Sequence, residues 1–161
     1  MNRLGGAVLI RDERPEDFGA VIDLTQRAFA PMPFAAGDEQ SLIGKLREAG
    51  ALTISLVAEL DGKVAGHVAF SPALAKDRSQ GWFALGPVSV EPVLQRRGIG
   101  GRLIGEGVAR LRQMDAAGCI VLGDPAYYPR FGFRSFPQFA PESEPADYFM
   151  ILPMGAAEPA C

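Results

Sequence analysis

Residues 86–101, GPVSVEPVLQRRGIGG, carry the strongest structural signal in this chain. An apolar strand leads into a basic, glycine-rich turn, and an apolar segment with helical periodicity follows at once and extends to Met114. This order suits a phosphorylated group bound at a helix N-terminus, because the unpaired N–H groups of the first turn and the helix dipole favour an anion there. Arg96 and Arg97 add charge-assisted donors, and the glycines allow the backbone to approach a ligand closely.

Two other phosphate-binding loops do not match this stretch. A P-loop needs Gly-x-x-x-x-Gly-Lys-Ser/Thr, and the chain has no such run. A Rossmann fingerprint needs a third glycine, but Leu103 occupies that position, and no acidic residue closes a second strand about 20 residues on. The remaining alternative is that the glycines only form a tight turn.

Composition and charge limit the class of protein. With 161 residues we expect one domain over residues 1–161, and 48% hydrophobic with 22% charged residues is typical of soluble globular proteins. A net charge of −3 without a dominant basic patch argues against a nucleic-acid partner. The apolar run 4–10 is too short for a membrane span and lacks the features of a signal peptide. Cys119 and Cys161 form no disulfide framework, so we expect a cytoplasmic protein.

The periodicity predicts an α/β (α+β) fold with a mixed, mostly antiparallel sheet of about six to seven strands and helices on both faces. Asp61-Gly62 indicates a hairpin, and Gly86-Pro87 indicates a bulge or splay within a strand. The predicted strands are 7–10, 53–60, 64–71, 82–90, 119–122, 133–136 and 148–152. The predicted helices open at Pro15, at Gly37-Asp38, after the glycine turn and at Asp124, and the strand–helix–strand unit from 82 to 122 should be parallel.

Two motifs in this order resemble the GNAT superfamily of acetyl-CoA-dependent N-acetyltransferases. Residues 95–100, QRRGIG, match the superfamily's Q/R-x-x-G-x-G/A pyrophosphate loop, and residues 88–92 look like the strand before it. Residues 127–133, YYPRFGF, are similar to the aromatic-Tyr-x-x-x-Gly-Phe segment after the fifth strand. Residues 85–87 and 123–128 further resemble the bacterial group described as predicted N-acetyltransferases. The resemblance implies the acyl-CoA N-acyltransferase fold.

The resemblance also implies acetyl-CoA as co-substrate and a set of residues that bind it. Backbone groups of Val88 and Val90, freed by the splay at Gly86-Pro87, would hold the pantetheine arm like an added strand. The glycine loop, defined as residues 95–101, would hold the pyrophosphate. The implied binding residues are Val88, Ser89, Val90, Gln95, Arg96, Arg97, Gly98, Ile99, Gly100 and Gly101.

Chemistry on this ligand needs a donor for the departing thiolate and a base for the amine. Tyr128 stands at the superfamily's donor position, and the alternative is a packed aromatic with a bonded hydroxyl. Glu39, Glu59 and His67 are candidate bases, and each has a purely structural alternative: a first-turn charge, a strand-end charge and a hydrogen-bonded core side chain. A water chain is a further possibility. Cys119 lacks an adjacent base for an acyl-enzyme route, and one histidine with two distant cysteines predicts no metal site.

The sequence therefore predicts an enzyme, an acyltransferase that moves acetyl to a primary amine on a small molecule or on a protein N-terminus or lysine. The alternative is a non-catalytic acyl-CoA sensor or interaction module on the same fold. Determinants of the acceptor should lie in loops 31–38, 73–80 and 137–147. We expect no nucleic-acid or membrane partner, and the resemblance allows a homodimer.

Overall fold

The computed structural model describes residues 7–30, 39–73, 81–136 and 148–154. The strands are β1 (Leu9–Asp12), β2 (Ile54–Leu60), β3 (Lys63–Ala73), β4 (Trp82–Val90), β5 (Gly118–Leu122), β6 (Arg134–Ser135) and β7 (Phe149–Pro153). The helices are α1 (Phe18–Phe29), α2 (Glu39–Glu48) and α3 (Ile99–Gln113). Short 3-10 helices span Pro15–Asp17, Pro92–Leu94 and Tyr128–Phe131.

The strands of the described residues form one sheet of seven in the order β1-β2-β3-β4-β5-β7-β6. The pairs β1–β2, β2–β3, β5–β7 and β6–β7 are antiparallel, whereas β4 and β5 are parallel. This confirms the expected mixed, mostly antiparallel sheet and its parallel strand–helix–strand unit. The hairpin is confirmed as well, because Asp61 (φ 52°) and Gly62 (φ 78°) form a two-residue turn in which both φ angles are positive, as in type I′.

The structure divides into two compact units. The first comprises Met1–Phe70 and Gly86–Gly107, and the second comprises Ser71–Leu85 and Val108–Cys161. The core of the second unit is formed by Trp82, Phe149 and Ile151. A single domain over residues 1–161 stays a prediction. No helix in the described ranges is long and apolar enough to cross a membrane.

Helices cover both faces of β3 in the first unit. On one face, α1, α2 and β2 pack together through Val21, Ile43 and Val57. Val57 pairs with His67 across the strands, so His67 lies on this face. Gly66 points to the other face, where an added Cβ would lie 2.9 Å from Leu103 Cδ1 of α3. The expectation of helices on both faces is therefore met within this unit.

The first strand is shifted from its predicted position. The charged residues after Ile10 predict a turn there and a strand at 7–10, but β1 spans Leu9–Asp12. Arg11 explains the shift, since its Nε donates to Glu59 Oε1 at 3.0 Å and its Nη1 to Asp17 Oδ2 at 2.7 Å. A charged side chain with two carboxylate partners continues the strand instead of ending it.

The predicted helix 124–130 is also wrong in detail. Residues 125–127 form a turn and only Tyr128–Phe131 are helical, as a 3-10 helix. Pro129 has no N–H to donate to the carbonyl four residues before it, so an α-helix cannot pass through this segment. Asp124 caps the turn instead, because its Oδ1 accepts the Ala126 N–H at 2.8 Å. β6 is shorter than predicted, and the proposed helix start at Gly37-Asp38 lies outside the described residues.

Candidate functional site

The glycine loop begins with a turn that its own side chains stabilise. After the 3-10 helix Pro92–Leu94, Gln95 Nε2 donates to the Val90 carbonyl at 3.2 Å, which ties the loop to the end of β4. Arg96 (φ 65°) and Gly98 (φ 86°) both adopt left-handed backbone conformations. Glycine adopts this conformation easily, whereas arginine rarely does. Residues 95–98 are exposed, so the loop presents its polar groups to solvent.

The first turn of α3 leaves backbone donors available. The Arg102 N–H donates to the Gly98 carbonyl at 3.0 Å, which makes Gly98 the residue before the helix. By the geometry of an α-helix, the N–H groups of Ile99, Gly100 and Gly101 then have no acceptor within the helix. These donors and the positive end of the helix dipole form an anion site beside the exposed Arg96 and Arg97 side chains.

Gly66 sets the position of this helix end, which the sequence alone did not show. A Cβ on Gly66 would lie 2.9 Å from Leu103 Cδ1, 3.1 Å from Ile99 Cγ2 and 3.3 Å from the Ser89 carbonyl oxygen. Ile99 and Leu103 are buried, so neither side chain has free space to move into. The missing side chain at Gly66 therefore allows the first turn of α3 to pack directly on β3.

The last three residues of β4, Val88 to Val90, present backbone groups, while the Ser89 side chain between the two valines is buried. The parallel register with β5 covers Trp82–Ala84, and β4 continues to Val90 beyond a cis Gly86-Pro87 peptide bond. Ser89 is 1% exposed, and its Oγ donates to Thr25 Oγ1 of α1 at 3.3 Å. Because side chains alternate along a strand, Val88 and Val90 point away from that contact. A ligand beside β4 would thus meet backbone rather than the Ser89 hydroxyl.

An exposed ion pair adjoins the glycine loop. Arg27 Nη2 of α1 lies 2.7 Å from Glu91 Oε2, and the Glu91 N–H donates to the Ala65 carbonyl at 2.8 Å. The Arg27 side chain is 51% exposed, so solvent screens this pair. It connects α1 to the residue that follows β4.

His67 ends a hydrogen-bonded series of side chains, the buried polar chain, that comprises Arg47, Glu13, Ser55 and His67. Arg47 Nη2 donates to Glu13 Oε2 at 2.8 Å, Ser55 Oγ donates to Glu13 Oε1 at 2.9 Å, and His67 Nε2 lies 2.8 Å from Ser55 Oγ. The serine hydroxyl has one hydrogen, and Glu13 accepts it. His67 Nε2 must therefore be the donor to Ser55, which leaves Nδ1 as a bare acceptor.

The environment of His67 keeps its ring neutral. His67 is fully buried, and burial, helped by the charge of Arg47, lowers its pKa to about 3. Nδ1 has no hydrogen-bond partner among the described residues. The order His–Ser–Glu also differs from that of a hydrolase triad, where the histidine lies between the serine and the acid. The arrangement joins four segments of the fold and includes one acceptor atom, Nδ1, that has no partner in the part of the chain that the structure describes.

The two glutamates proposed as bases, Glu59 and Glu39, lie on different elements, β2 and α2. The carboxylate of Glu59 accepts from Arg11 Nε at 3.0 Å and belongs to the cluster that holds β1 against β2. Its position matches the structural alternative, a strand-end charge. Glu39 is the first residue of α2, and its side chain lies outside what the structure describes.

Tyr128 lies in the second unit, in the 3-10 helix after β5. Its ring contacts Tyr127 edge-on with centroids 5.1 Å apart, and Phe133 with centroids 5.8 Å apart. Burial raises the pKa of Tyr128 to about 12, so the hydroxyl is protonated and able to donate near neutral pH. In the same unit, burial raises the pKa of the Cys119 thiol, which keeps that cysteine unreactive.

The sequence-predicted residues thus fall into two groups. The first unit contains the end of β4 and the glycine loop, and also His67, whose side chain lies on the face of β3 opposite to α3. The second unit contains Tyr128. Within the described ranges, no three His, Cys, Asp or Glu side chains are grouped as metal ligands. Loops 31–38 and 137–147, and all of loop 73–80 except Ala73, lie outside the described residues, so the expectation that they hold acceptor determinants stays a prediction.

The chain is similar over most of its length to proteins that are named as N-acetyltransferases. The uncharacterized N-acetyltransferase YhbS of Escherichia coli (strain K12) is 38% identical over 128 residues, which cover 79% of this chain and 74% of YhbS. YjhQ of the same organism, also an uncharacterized N-acetyltransferase, is 36% identical over 119 residues, which cover 71% of this chain and 65% of YjhQ.

Two solved structures extend the likeness to the fold. A GNAT family acetyltransferase from Brucella melitensis, in complex with acetyl-CoA, matches with a TM-score of 0.85 and 46% identity over 95% of this chain and 92% of that one. YhbS from Escherichia coli, in complex with CoA, matches with a TM-score of 0.81 and 32% identity over 92% and 82% of the two chains. The model of the acetyltransferase (GNAT) family matches residues 12–133, a range that includes the glycine loop and Tyr128. With this loop, this fold and these relatives, the chain belongs to the GNAT family of acetyltransferases and is an acyltransferase.

Proposed function

We propose that this acyltransferase binds acetyl-CoA and transfers its acetyl group directly to a primary amine within a ternary complex. The observation that carries the proposal is the glycine loop, which combines three backbone donors that have no acceptor within α3 with two exposed arginines. The acetyl-CoA and CoA complexes of the two similar structures support the same ligand here. The acceptor would be a small molecule, or the N-terminus or a lysine of a protein.

In the proposed complex, the pyrophosphate would lie at the first turn of α3. Backbone N–H groups of residues 98–101 would donate to its oxygens, and the guanidinium groups of Arg96 and Arg97 would offset its charge. The pantetheine arm would add to the end of β4 through backbone groups of Val88 and Val90. Ser89 would contribute through its main chain, since its hydroxyl donates to Thr25.

Attack by a neutral amine on the thioester gives a tetrahedral intermediate, and CoA then leaves as a thiolate. We assign the donor for the sulfur to Tyr128. A tyrosine with a pKa of about 12 is a weaker acid than a thiol with a pKa near 8.5, so complete proton transfer to the thiolate would be uphill. Tyr128 would therefore act as a hydrogen-bond donor that stabilises developing charge on sulfur, with solvent supplying the proton afterwards.

The base that receives the amine proton is assigned to Glu39 or His67, directly or through water. A histidine with a pKa of about 3 is a weak proton acceptor, although Nδ1 of His67, which has no partner among the described residues, can accept a hydrogen bond. Glu39, at the start of α2, is therefore the stronger candidate. Glu39→Gln should reduce the acetylation rate at saturating amine, and His67→Gln should have a smaller effect once stability is taken into account.

The weakness of the described candidate bases also supports a second function, a non-catalytic acyl-CoA sensor or interaction module. His67 is buried and neutral, and Glu59 is engaged by Arg11, so neither of these two described candidates is an evident strong base. A chain that binds acyl-CoA without turnover, as a sensor or interaction module, would have these features.

Calorimetry with acetyl-CoA followed by thiol-release assays over a panel of amines tests both functions. We expect binding and release of CoA with at least one amine. Failure to bind would contradict the acetyltransferase and the sensor alike, whereas tight binding without turnover on any amine would favour the sensor.

A cytoplasmic location and pairing into a homodimer stay predictions. Gel filtration with light scattering would test whether the protein forms a homodimer.

A further inference from the structure

Gly123, directly after β5, lies against the ring of Tyr128. A Cβ built on Gly123 would collide with Tyr128 Cε2, and would lie 2.8 Å from Cδ2 and 3.2 Å from Cζ. Real Cβ atoms essentially never approach other atoms so closely. Glycine at this position is thus a steric requirement of the Tyr128 ring.

Three aromatic side chains contact the half-buried Tyr128 ring and limit how far it can move. Tyr127 contacts it edge-on at 5.1 Å, Phe133 at 5.8 Å and Phe131 at 6.3 Å between centroids. Phe133 is 1% exposed and so is itself held by the core of the second unit. A group added at Gly123 would have to move the Tyr128 ring within this cluster or displace the cluster with it.

The backbone on both sides of the contact is also fixed. The Gly123 N–H donates to the Tyr148 carbonyl at 3.0 Å, beside β7. The Asp124 carbonyl accepts from the Tyr127 N–H at 3.0 Å and from the Tyr128 N–H at 3.2 Å. The chain therefore cannot separate Gly123 from Tyr128 without breaking these hydrogen bonds.

We propose that Gly123 is a positioning residue for catalysis, because its missing side chain fixes where the Tyr128 ring, and with it the phenolic oxygen, lies. The inference rests on the donor role proposed for Tyr128. A methyl group at Gly123 would displace the ring by about 1 Å, and displacements of that size can cost an enzyme about 100-fold in rate. A hydrogen bond to a developing thiolate is lost over such a distance.

The test is a double-mutant cycle on the rate of CoA release at saturating acetyl-CoA and amine. Gly123→Ala should lower the rate about 10- to 100-fold, close to the effect of Tyr128→Phe. In the Tyr128→Phe background, Gly123→Ala should cost less than about 2-fold, because no hydroxyl is left to misplace. Gly105→Ala is the matched control, since Gly105 is exposed on α3 with nothing within 4 Å of an added Cβ. An equal loss in both backgrounds would overturn the inference.

Aromatic NMR provides a readout that needs no turnover. Tyr128 ring resonances, assigned by comparison with Tyr128→Phe, should shift in Gly123→Ala and stay in place in Gly105→Ala. Unchanged Tyr128 resonances would overturn the inference even if the donor role holds. If instead Tyr128→Phe retains the full rate, the donor role itself is wrong, which is a different failure.

A folding defect in Gly123→Ala would not hide the result. Removing the ring in Gly123→Ala/Tyr128→Ala relieves the collision, so the double variant should fold even where the single variant does not. If Tyr128→Ala gives no such rescue, the damage does not come from this contact and the inference fails.

Asp124→Ala, which removes the cap on Ala126, should also slow CoA release, and Asp124→Asn should retain the rate because its Oδ1 still accepts that N–H.

Discussion

The glycine loop and the buried polar chain both concentrate polar groups in the first unit, but they differ in exposure to water. The loop keeps Arg96, Arg97 and the N–H groups of α3 at the surface. The buried polar chain joins His67 to Arg47 through Ser55 and Glu13, whose side chain is 4% exposed. Exposed donors keep their hydration until a ligand replaces it, whereas buried groups depend on one another for every hydrogen bond.

This difference predicts opposite responses to substitution. Removal of a group from the loop should weaken ligand binding and leave the free energy of unfolding nearly unchanged. Removal of a group from the buried polar chain should lower the free energy of unfolding and leave the intrinsic affinity for acetyl-CoA nearly unchanged.

The largest effect is expected for Glu13→Ala. The substitution leaves Arg47, 21% exposed, without its carboxylate, and Ser55 without its acceptor. Breaking a buried pair on one side costs about 3 kcal/mol or more, and the partial exposure of Arg47 sets the expectation at about 2–4 kcal/mol. Urea unfolding measures the loss, with the exposed Glu48→Ala as control. A loss below about 1 kcal/mol would show that the chain is not a stabilising network.

The next largest effect is a pH dependence of stability from His67, the one histidine of the sequence. Its pKa of about 3 in the folded state lies below the unfolded value near 6.5, so the unfolded state binds the proton first as the pH falls. Stability is therefore full above about pH 6.5 and falls by about 1.4 kcal/mol per pH unit below it, or about 2 kcal/mol by pH 5.

Urea unfolding of the protein and of His67→Gln between pH 7 and pH 5 checks this expectation. The variant should lose most of the pH dependence in this range, which lies above the ordinary pKa of the carboxylates. An equal slope in both proteins would show that another group binds the proton.

The sequence predicts a region well when the residues that form it are close together along the chain, and poorly when they are far apart. The glycine loop is contiguous, so its conformation and its donors depend on residues within one short stretch, and Gln95 through Gly101 could be named before the structure. The same holds for the Asp61-Gly62 hairpin. The role of Gly66 could not be named, because it depends on contacts with Ser89, Ile99 and Leu103, which are distant in sequence. The role of Gly123 depends on the turn that brings the Tyr128 ring back against it.

The buried polar chain shows most clearly what the sequence alone cannot predict. Its four residues come from the segment after β1, from α2, from β2 and from β3, and no spacing in sequence links them. The sequence indicates His67 as a candidate base because the amine needs a proton acceptor and His67 is the single histidine, but its burial, tautomer and low pKa all follow from tertiary packing. The predicted end of the first strand at Ile10 was wrong for the same reason, because the sequence does not show that Arg11 binds two carboxylates.

In the glycine loop, Arg97→Ala should raise the Kd for acetyl-CoA about 10-fold through loss of a charge-assisted contact to phosphate. The effect should shrink at high salt because the contact is exposed. Arg112→Ala, an exposed arginine in the last turn of α3, is the control and should change the Kd less than about 2-fold. Calorimetry at two salt concentrations measures both, and an unchanged Kd for Arg97→Ala would remove that side chain from the proposed site.

The smallest effect is expected for Arg27→Gln, which removes the exposed ion pair with Glu91 beside the loop. The pair is as short as the one between Arg47 and Glu13, 2.7 Å against 2.8 Å, but Arg27 is 51% exposed and Arg47 only 21%. Exposed pairs contribute about 0–1 kcal/mol, so urea unfolding should show a loss of about 0.5 kcal/mol or less. A loss as large as that of Glu13→Ala would mean that ion pairing by itself, rather than burial, determines the response of these groups to substitution.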